Sequence, residues 1–307
     1  MISVIICTFD QPLTLPWLLE SLANQTYRES FEVLIADDGS EPEVLRLVAE
    51  QTRHHGLDIR YLWQPDEGFR LCRSRNNAIR CATGDILVFL DGDMVVRPNF
   101  LEAHLEAHHG GSQVLCCGTR EHLEVRRERP PINAADALNL AEQMAQINPL
   151  ESEARQQESW ARSRSPWMAI SGCNFSVRKS GNIWFDEGFT GWGSEDREFA
   201  CRLMKQGYRI VVSDATRGVH VDVTESRSKQ RQSDDREHSE LTELIRNKLL
   251  LRHRHPDVDT TPALRMLQHC SVDPASGRWS YEPDHEPTEL GAAIEAAEAQ
   301  LGRTTTE

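Results

Sequence analysis

No apolar run in this 307-residue chain approaches the roughly 20 residues that a membrane-spanning helix needs, so an integral membrane segment is not expected. Met1 leads straight into a core-like run, without the charged and apolar regions of a signal peptide. Basic charge is scarce: 34 Lys and Arg face 48 Asp and Glu, a net charge of −14. That balance lacks the basic footprint of a nucleic-acid-binding surface. The eight cysteines (Cys7, Cys72, Cys81, Cys116, Cys117, Cys173, Cys201, Cys270) form no C-x-x-C pair, and several sit inside apolar runs such as Ile5-Ile6-Cys7. Buried free thiols in a reducing, cytoplasmic compartment account for them better than a disulfide framework. Internal repeats and low-complexity tracts are also missing. What remains, 39% hydrophobic and 27% charged residues, is the composition of a globular protein with one large domain or two small ones.

The first part of the chain alternates short apolar strands with helical stretches. Ile2–Cys7, Phe31–Ala36, Ile59–Trp63, Ile86–Leu90 and Val114–Gly118 read as strands. Leu13–Asn24, Pro42–His54, Cys72–Ala82 and Pro98–His109 read as helices. In the first of these, Leu15, Leu18, Leu19 and Leu22 form one apolar stripe. Such alternation implies right-handed βαβ units and a mainly parallel sheet. After Gly118 a polar stretch, 119–165, holds a helix near Ala134–Gln146. A second block follows, with strands at Trp167–Ser171, Asn174–Arg178 and Ile210–Val212 and a helix over Glu195–Lys205. Residues 223–240, with Arg227, Lys229 and Arg231 among acids, read as a mobile charged loop, either a lid that closes over the donor or a solvated linker to the C-terminal helix. Residues 241–307 read as a helical C-terminal extension.

The strand Ile86–Leu90 ends in Asp91-Gly92-Asp93, at the sheet end where open α/β folds bind ligands. Alternate residues of an extended segment point the same way, so the two carboxylates can converge as oxygen ligands for Mg²⁺ or Mn²⁺. Asp37-Asp38-Gly39-Ser40 closes the second strand. It reads either as an acceptor for base or ribose hydroxyls or as a turn in which Ser40 caps the next helix. Gly191-Trp192-Gly193-Ser194-Glu195-Asp196 precedes a helix. Its spacing turns Asp196 inward beside a Trp that can stack on a sugar, and the helix macrodipole keeps a carboxylate there ionised and ready to accept a proton. His220 would bias a carboxylate site toward manganese. Arg70, Arg73 and Arg75 read as solvated helix positions or as guanidinium donors to phosphate.

In this order, Thr8-Phe9-Asp10-Gln11-Pro12, Asp37-Asp38-Gly39-Ser40, Ser74-Arg75-Asn76, Gly84-Asp85 and Asp91-Gly92-Asp93 resemble family 2 glycosyltransferases of the GT-A fold. Phe185-Asp186-Glu187-Gly188-Phe189 and Trp192-Gly193-Ser194-Glu195-Asp196 are similar to galactosyltransferase-type C-terminal halves, as in bacterial chondroitin polymerase modules and β-1,4-galactosyltransferases. The resemblance covers about residues 1–222. It implies that Asp38, Thr8 and Phe9 contact uridine, that Arg75 steadies the diphosphate side, and that Asp93 binds the metal with Asp91 beside it. It further implies that Gly172 and Trp192 shape the sugar pocket and that Asp196 is the base. Glu195 would bind sugar hydroxyls, and His220 would stand where the family has a later metal-binding His.

The expectation is therefore an α/β protein of the GT-A nucleotide-diphospho-sugar transferase fold. Residues 1–118 form its nucleotide-binding half and 119–222 its acceptor and catalytic half. Its activity would be Mn²⁺- or Mg²⁺-dependent inverting transfer of a hexose or N-acetylhexosamine from a UDP-sugar to a hydroxyl of a glycan or small-molecule acceptor, as in polysaccharide biosynthesis. Alternatives are a retaining enzyme of the same fold, a non-catalytic sugar-binding protein, or a sugar nucleotidyltransferase. The last would carry a Gly-rich, Lys- or Arg-bearing loop where this chain has Cys7-Thr8-Phe9-Asp10-Gln11.

Overall fold

The computed structural model of the chain describes residues 1–111, 113–128, 130–131, 133–147, 153–224, 233–272, 279–281, 283 and 286–304. Apolar, β-branched runs form β1 (Ile2–Thr8), β2 (Phe31–Asp37), β3 (Ile59–Trp63) and β4 (Ile86–Asp91). These four pair in parallel in the order β3-β2-β1-β4. β7 (Asn174–Arg178) runs antiparallel between β4 and β6 (Val114–Arg126), β8 (Arg209–Thr224) lies parallel to β6, and β5 (Met94–Val96) closes the edge antiparallel to β8.

Strand residues alternate between two cores, as the pleat requires. Ile2, Val4 and Ile6 pack with Val88 and Leu90 against α1 (Leu15–Ala23), α2 (Pro42–His55) and α4 (Phe100–Ala107). Ile5 and Cys7 face the other way with Phe89, Phe175 and Leu115, under α3 (Leu71–Cys81) and α7 (Glu195–Lys205). The α1 stripe of Leu15, Leu18, Leu19 and Leu22 is fully buried. All eight thiols are free, and six are buried.

Several expectations need correction. Trp167–Ser171 is not a strand. Pro166–Ala169 forms a 3₁₀ turn with Pro in its first turn, and Trp167 and Ala169 are buried without pairing. Periodicity cannot separate such a short apolar run from a strand. β6 and β8 run well past Gly118 and Val212, with a bulge between Gly118 and Arg120. There they alternate polar with apolar residues. Leu123, Val125, Val219 and Val221 pack with Trp17 on α5 (Ala134–Ile147), which makes a half-buried ribbon of what composition alone renders polar. α6 (Glu153–Ala161) adds a second helix to the polar stretch 119–165, where only the one near Ala134–Gln146 is expected. Ser40 does not cap α2, which starts at Pro42 with Glu41 in the cap position, and its hydroxyl instead accepts the Asp10 N–H at 2.8 Å.

α8 starts at Ser233, so 233–240 is helix rather than loop and the helix runs to Arg254. Arg227, Lys229 and Arg231 lie outside the described residues. The C-terminal extension adds α9 (Thr261–Leu264), the antiparallel pair β9 (Cys270–Val272) and β10 (Trp279–Tyr281), and α10 (Leu290–Thr304). α8 ties it down: Ile245 packs with Leu264, Trp279 and Ile294, while Leu251 belongs to the core under the sheet. Among the described residues no helix is long and apolar enough to cross a membrane.

Candidate active site

The C-terminal ends of β1, β2 and β4 make the floor of the site. Asp37 is consumed by structure: one carboxylate oxygen accepts the N–H groups of Gly39 and Ser40 at 2.9 and 2.7 Å, and the other accepts the Tyr61 hydroxyl. Asp38 is also buried, accepting the Arg70 N–H at 2.7 Å and the Gln64 side-chain amide, and burial raises its pKa against those bonds. Thr8 is buried, with its hydroxyl donating to Gln11 Oε1 at 3.1 Å, whereas Phe9 next to it in sequence and Trp63, which pairs with Asp37, are half exposed. Arg70 and Arg73 are surface partners of Glu67.

At the end of β4, Gly92 donates to the Cys7 carbonyl at 2.8 Å. A Cβ at Gly92 would fall 2.3 Å from Gln11 Oε1, so a larger residue here displaces the Gln11 side chain. The flanking acids have different partners. Asp91 faces Arg75 at 3.6 Å, and Asp93 accepts Gln11 Nε2 at 2.9 Å and lies 3.4 Å from His220 Nε2. His220 opens onto two residues absent from the sequence reading. His220 Nδ1 is 3.1 Å from one Asp222 oxygen, and His122 Nδ1 is 2.8 Å from the other. Donor atoms of His122, His220 and Asp222 all lie within 4.8 Å of one another. Register explains the convergence: His122 pairs with His220 across β6 and β8, and Asp222 is two residues along the same face. The alternation Val219-His220-Val221-Asp222 was the available signal.

Burial, with Asp91 adding to it, pushes the Asp93 carboxyl up to about 6 against the pull of His220. Burial disfavours protonated His220, but Asp222 and Asp93 outweigh it and raise its pKa. Burial likewise opposes ionised Asp222, yet hydrogen bonds from His122 and His220 hold it well below the usual carboxylate range.

The opposite wall is the head of α7. The spacing argument put Asp196 inward. The structure buries Glu195 instead, in the Glu195-Glu198-Phe199 stripe, and leaves Asp196 partly accessible. One Asp196 oxygen accepts the Gly172 N–H at 3.0 Å and the other the Arg197 N–H at 2.7 Å. Arg75, 1% exposed, joins the two walls. It donates to Glu195 at 3.1 Å and to the Gly172 carbonyl at 2.9 Å, and its guanidinium stacks 5.0 Å from the Phe185 ring. Burial, then Asp196, pushes Glu195 up to about 7, with Arg75 opposing. Trp192, four residues before Asp196, is 51% exposed. The sheet end therefore holds an acidic and imidazole cluster on one side and a partly accessible carboxylate at a helix N-terminus on the other.

Comparison with known proteins defines the class. "Glycosyl transferase family 2" matches residues 3–181, more than half of the chain, and "N-terminal domain of galactosyltransferase" matches 158–223. The chain belongs to glycosyltransferase family 2, of the GT-A type. It is 31% identical over 235 residues to validoxylamine A glucosyltransferase of Streptomyces hygroscopicus subsp. jinggangensis, covering 71% of this chain and 55% of the relative. It is 28% identical over 224 residues to chondroitin synthase of Escherichia coli, 67% of this chain and 32% of the relative. The chain thus spans about half the length of the first and a third of the second. S. aureus TarS 1-349 in complex with UDP-GlcNAc shares the fold, with a TM-score of 0.56 at 18% identity over 86% of this chain and 70% of that one.

Proposed function

We propose that the chain transfers a hexose or N-acetylhexosamine from a UDP-sugar to a hydroxyl of a glycan or other acceptor, with inversion and with a divalent metal ion. The observation that carries this reading is Asp93 and His220 on one side of a sheet end and Asp196 on the other, with Arg75 joining their chain neighbours Asp91 and Glu195. The named activities of the relatives and the UDP-GlcNAc bound by TarS support the donor class. The free buried thiols support a reducing, cytoplasmic setting.

The donor set suits a divalent ion. Asp93 Oδ1 is buried without a hydrogen-bond partner among the described residues, beside imidazole and carboxylate groups that suit Mn²⁺ better than Mg²⁺. Asp93 and His220 would hold it, with Asp222 and His122 as further donors and Asp91 on the diphosphate side. When bound, the ion offsets the charge that develops on the departing diphosphate.

Asp196 does the proton chemistry. Two backbone N–H groups fix its orientation at the head of α7, and its partial exposure leaves it within reach of an acceptor hydroxyl. It takes that proton as the hydroxyl oxygen attacks the anomeric carbon opposite the leaving UDP, a contribution on the order of 10²–10⁴-fold. Glu195, fixed by Arg75, is placed to bind a sugar hydroxyl. Asp38, Thr8 and Phe9 line the uridine end, and Gly172 and Trp192 shape the sugar end.

The test is nucleoside diphosphate release (UDP from a panel of UDP-sugars, GDP from GDP-mannose), with cell-extract acceptors, in Mn²⁺ and in EDTA, followed by NMR of the product linkage. Mn²⁺-dependent UDP release and an equatorial linkage from an axial donor are expected. Turnover of GDP-mannose alone would overturn the donor class, full activity in EDTA the metal, and an axial product the inversion.

A further inference from the structure

The two family matches end at residues 181 and 223, yet α8 beyond them grips the loop that carries Trp192. Gly191, Gly193 and Ser194 all have positive φ, at 75°, 90° and 71°. For Ser194 this is an uncommon conformation that its surroundings must hold. α8 supplies the hold. Glu243 accepts the Trp192 N–H at 3.0 Å. Asn247, fully buried, points its amide at the carbonyls of Thr190, Gly191 and Trp192, at 3.1, 3.4 and 3.2 Å. Arg246 donates to the Thr190 carbonyl and hydroxyl. The approach is so close that a Cβ at Gly191 would lie 2.5 Å from Glu243 Cδ, and one at Gly193 2.6 Å from Leu244 Cδ1. Glu243 and Asn247 are one turn apart, so a single face of α8 fixes the loop. Lys248, one turn after Leu244, is buried with Asp196 and Arg197 among its charged neighbours.

We infer that Glu243 and Asn247 are positioning residues that set Trp192 as the wall of the donor-sugar pocket, so that the C-terminal extension is part of the active site. The inference rests on the proposed donor site. Trp192 has a half-exposed ring and a backbone tied at both its N–H and its carbonyl. A rigid aromatic face of this kind can stack on a pyranose, and it loses that geometry when the backbone beneath it is released.

The experiment compares the affinities of UDP and of the UDP-sugar that turns over, both with Mn²⁺, by calorimetry on the full chain. Asn247→Leu and Glu243→Ala should keep UDP affinity within about twofold while lowering the extra affinity given by the sugar about tenfold or more. Glu243→Gln, which keeps an acceptor oxygen for the Trp192 N–H, should restore that extra affinity. Glu243→Ala removes one contact at the edge of the loop, so it remains informative if Asn247→Leu fails to fold. An unchanged sugar contribution in folded variants would overturn the inference and make α8 a buttress only. No UDP binding by the wild type would overturn the donor-site reading together with it.

Discussion

Replacing Arg75 by Met should destabilise the protein in a pH-dependent way, and the structure fixes the direction. Arg75 is buried at 1% exposure, with a charged hydrogen bond to Glu195, a bond to the Gly172 carbonyl, an ion-pair contact with Asp91 and a stacking contact with Phe185. Removing one partner of a buried ion pair leaves the other charge uncompensated and typically costs about 3–5 kcal/mol. Glu195 can escape that penalty by protonation, because its carboxyl is already pushed up to about 7. At pH 8 Glu195 is ionised in the wild type, and because it can take up a proton one unit above its pKa of about 7, Arg75→Met should cost about 1.4 kcal/mol more there than at pH 5. At pH 5 Glu195 is neutral, and what is lost is the bonds to Gly172 and to the neutral Glu195 carboxyl, the Asp91 contact and the ring contact, about 1–3 kcal/mol in all. Urea unfolding at both pH values measures the difference. Adding Glu195→Gln to Arg75→Met should recover the pH-dependent part of the loss at pH 8 and little at pH 5. Equal destabilisation at the two pH values, or no recovery in the double variant, would refute the coupling.

Glu195→Gln alone tests the sign of the titration. The folded-state pKa is raised, so the native state holds a proton that the unfolded chain has released between about 4.5 and 7, and wild-type stability falls as pH rises through that window. Glu195→Gln should therefore gain on the wild type as pH rises from 4.5 to 7, read by urea unfolding. Asp93→Ala should weaken Mn²⁺ binding in the presence of UDP by at least about tenfold by calorimetry. It should leave the unfolding midpoint near that of the wild type, and unchanged metal affinity would move the site away from β4. Gly92→Ala sets a Cβ 2.3 Å from Gln11 Oε1, the end of a side chain that can swing aside. Stability should drop by about 1 kcal/mol or less, while UDP–Mn²⁺ affinity falls several-fold as Gln11 leaves Asp93.

The parts of the fold that were legible in sequence were those with one strong period. β1, β2 and β4 are nearly continuous apolar runs buried on both faces, and α1 and α7 carry stripes at helical spacing, so their spans follow from pattern. The extensions of β6 and β8 were not legible, because Leu123, Val125, Val219 and Val221 alternate with charged residues and only tertiary packing on α5 selects the strand. That is why His122 and Asp222 escaped notice: their meeting depends on the register between strands about a hundred residues apart. The exchange of Glu195 for Asp196 as the buried member follows from the same kind of blindness. Helical spacing allows either residue at the head of the stripe, and the close contact with Arg75 decides it. Lys248, Glu243 and Asn247 carry no motif. Their significance comes from the path of α8 over the Gly191–Ser194 loop.

The account turns on Asp196 as the group that accepts the acceptor's proton, and Asp196→Asn tests it most directly. Asn keeps the shape but offers one oxygen, enough for either the Gly172 or the Arg197 N–H and not both, and it cannot take a proton. Steady-state turnover of the active UDP-sugar with Mn²⁺ should fall about 10²-fold or more in kcat, with UDP affinity within a few-fold of the wild type. A kcat close to that of the wild type would contradict the account and assign the proton to another group.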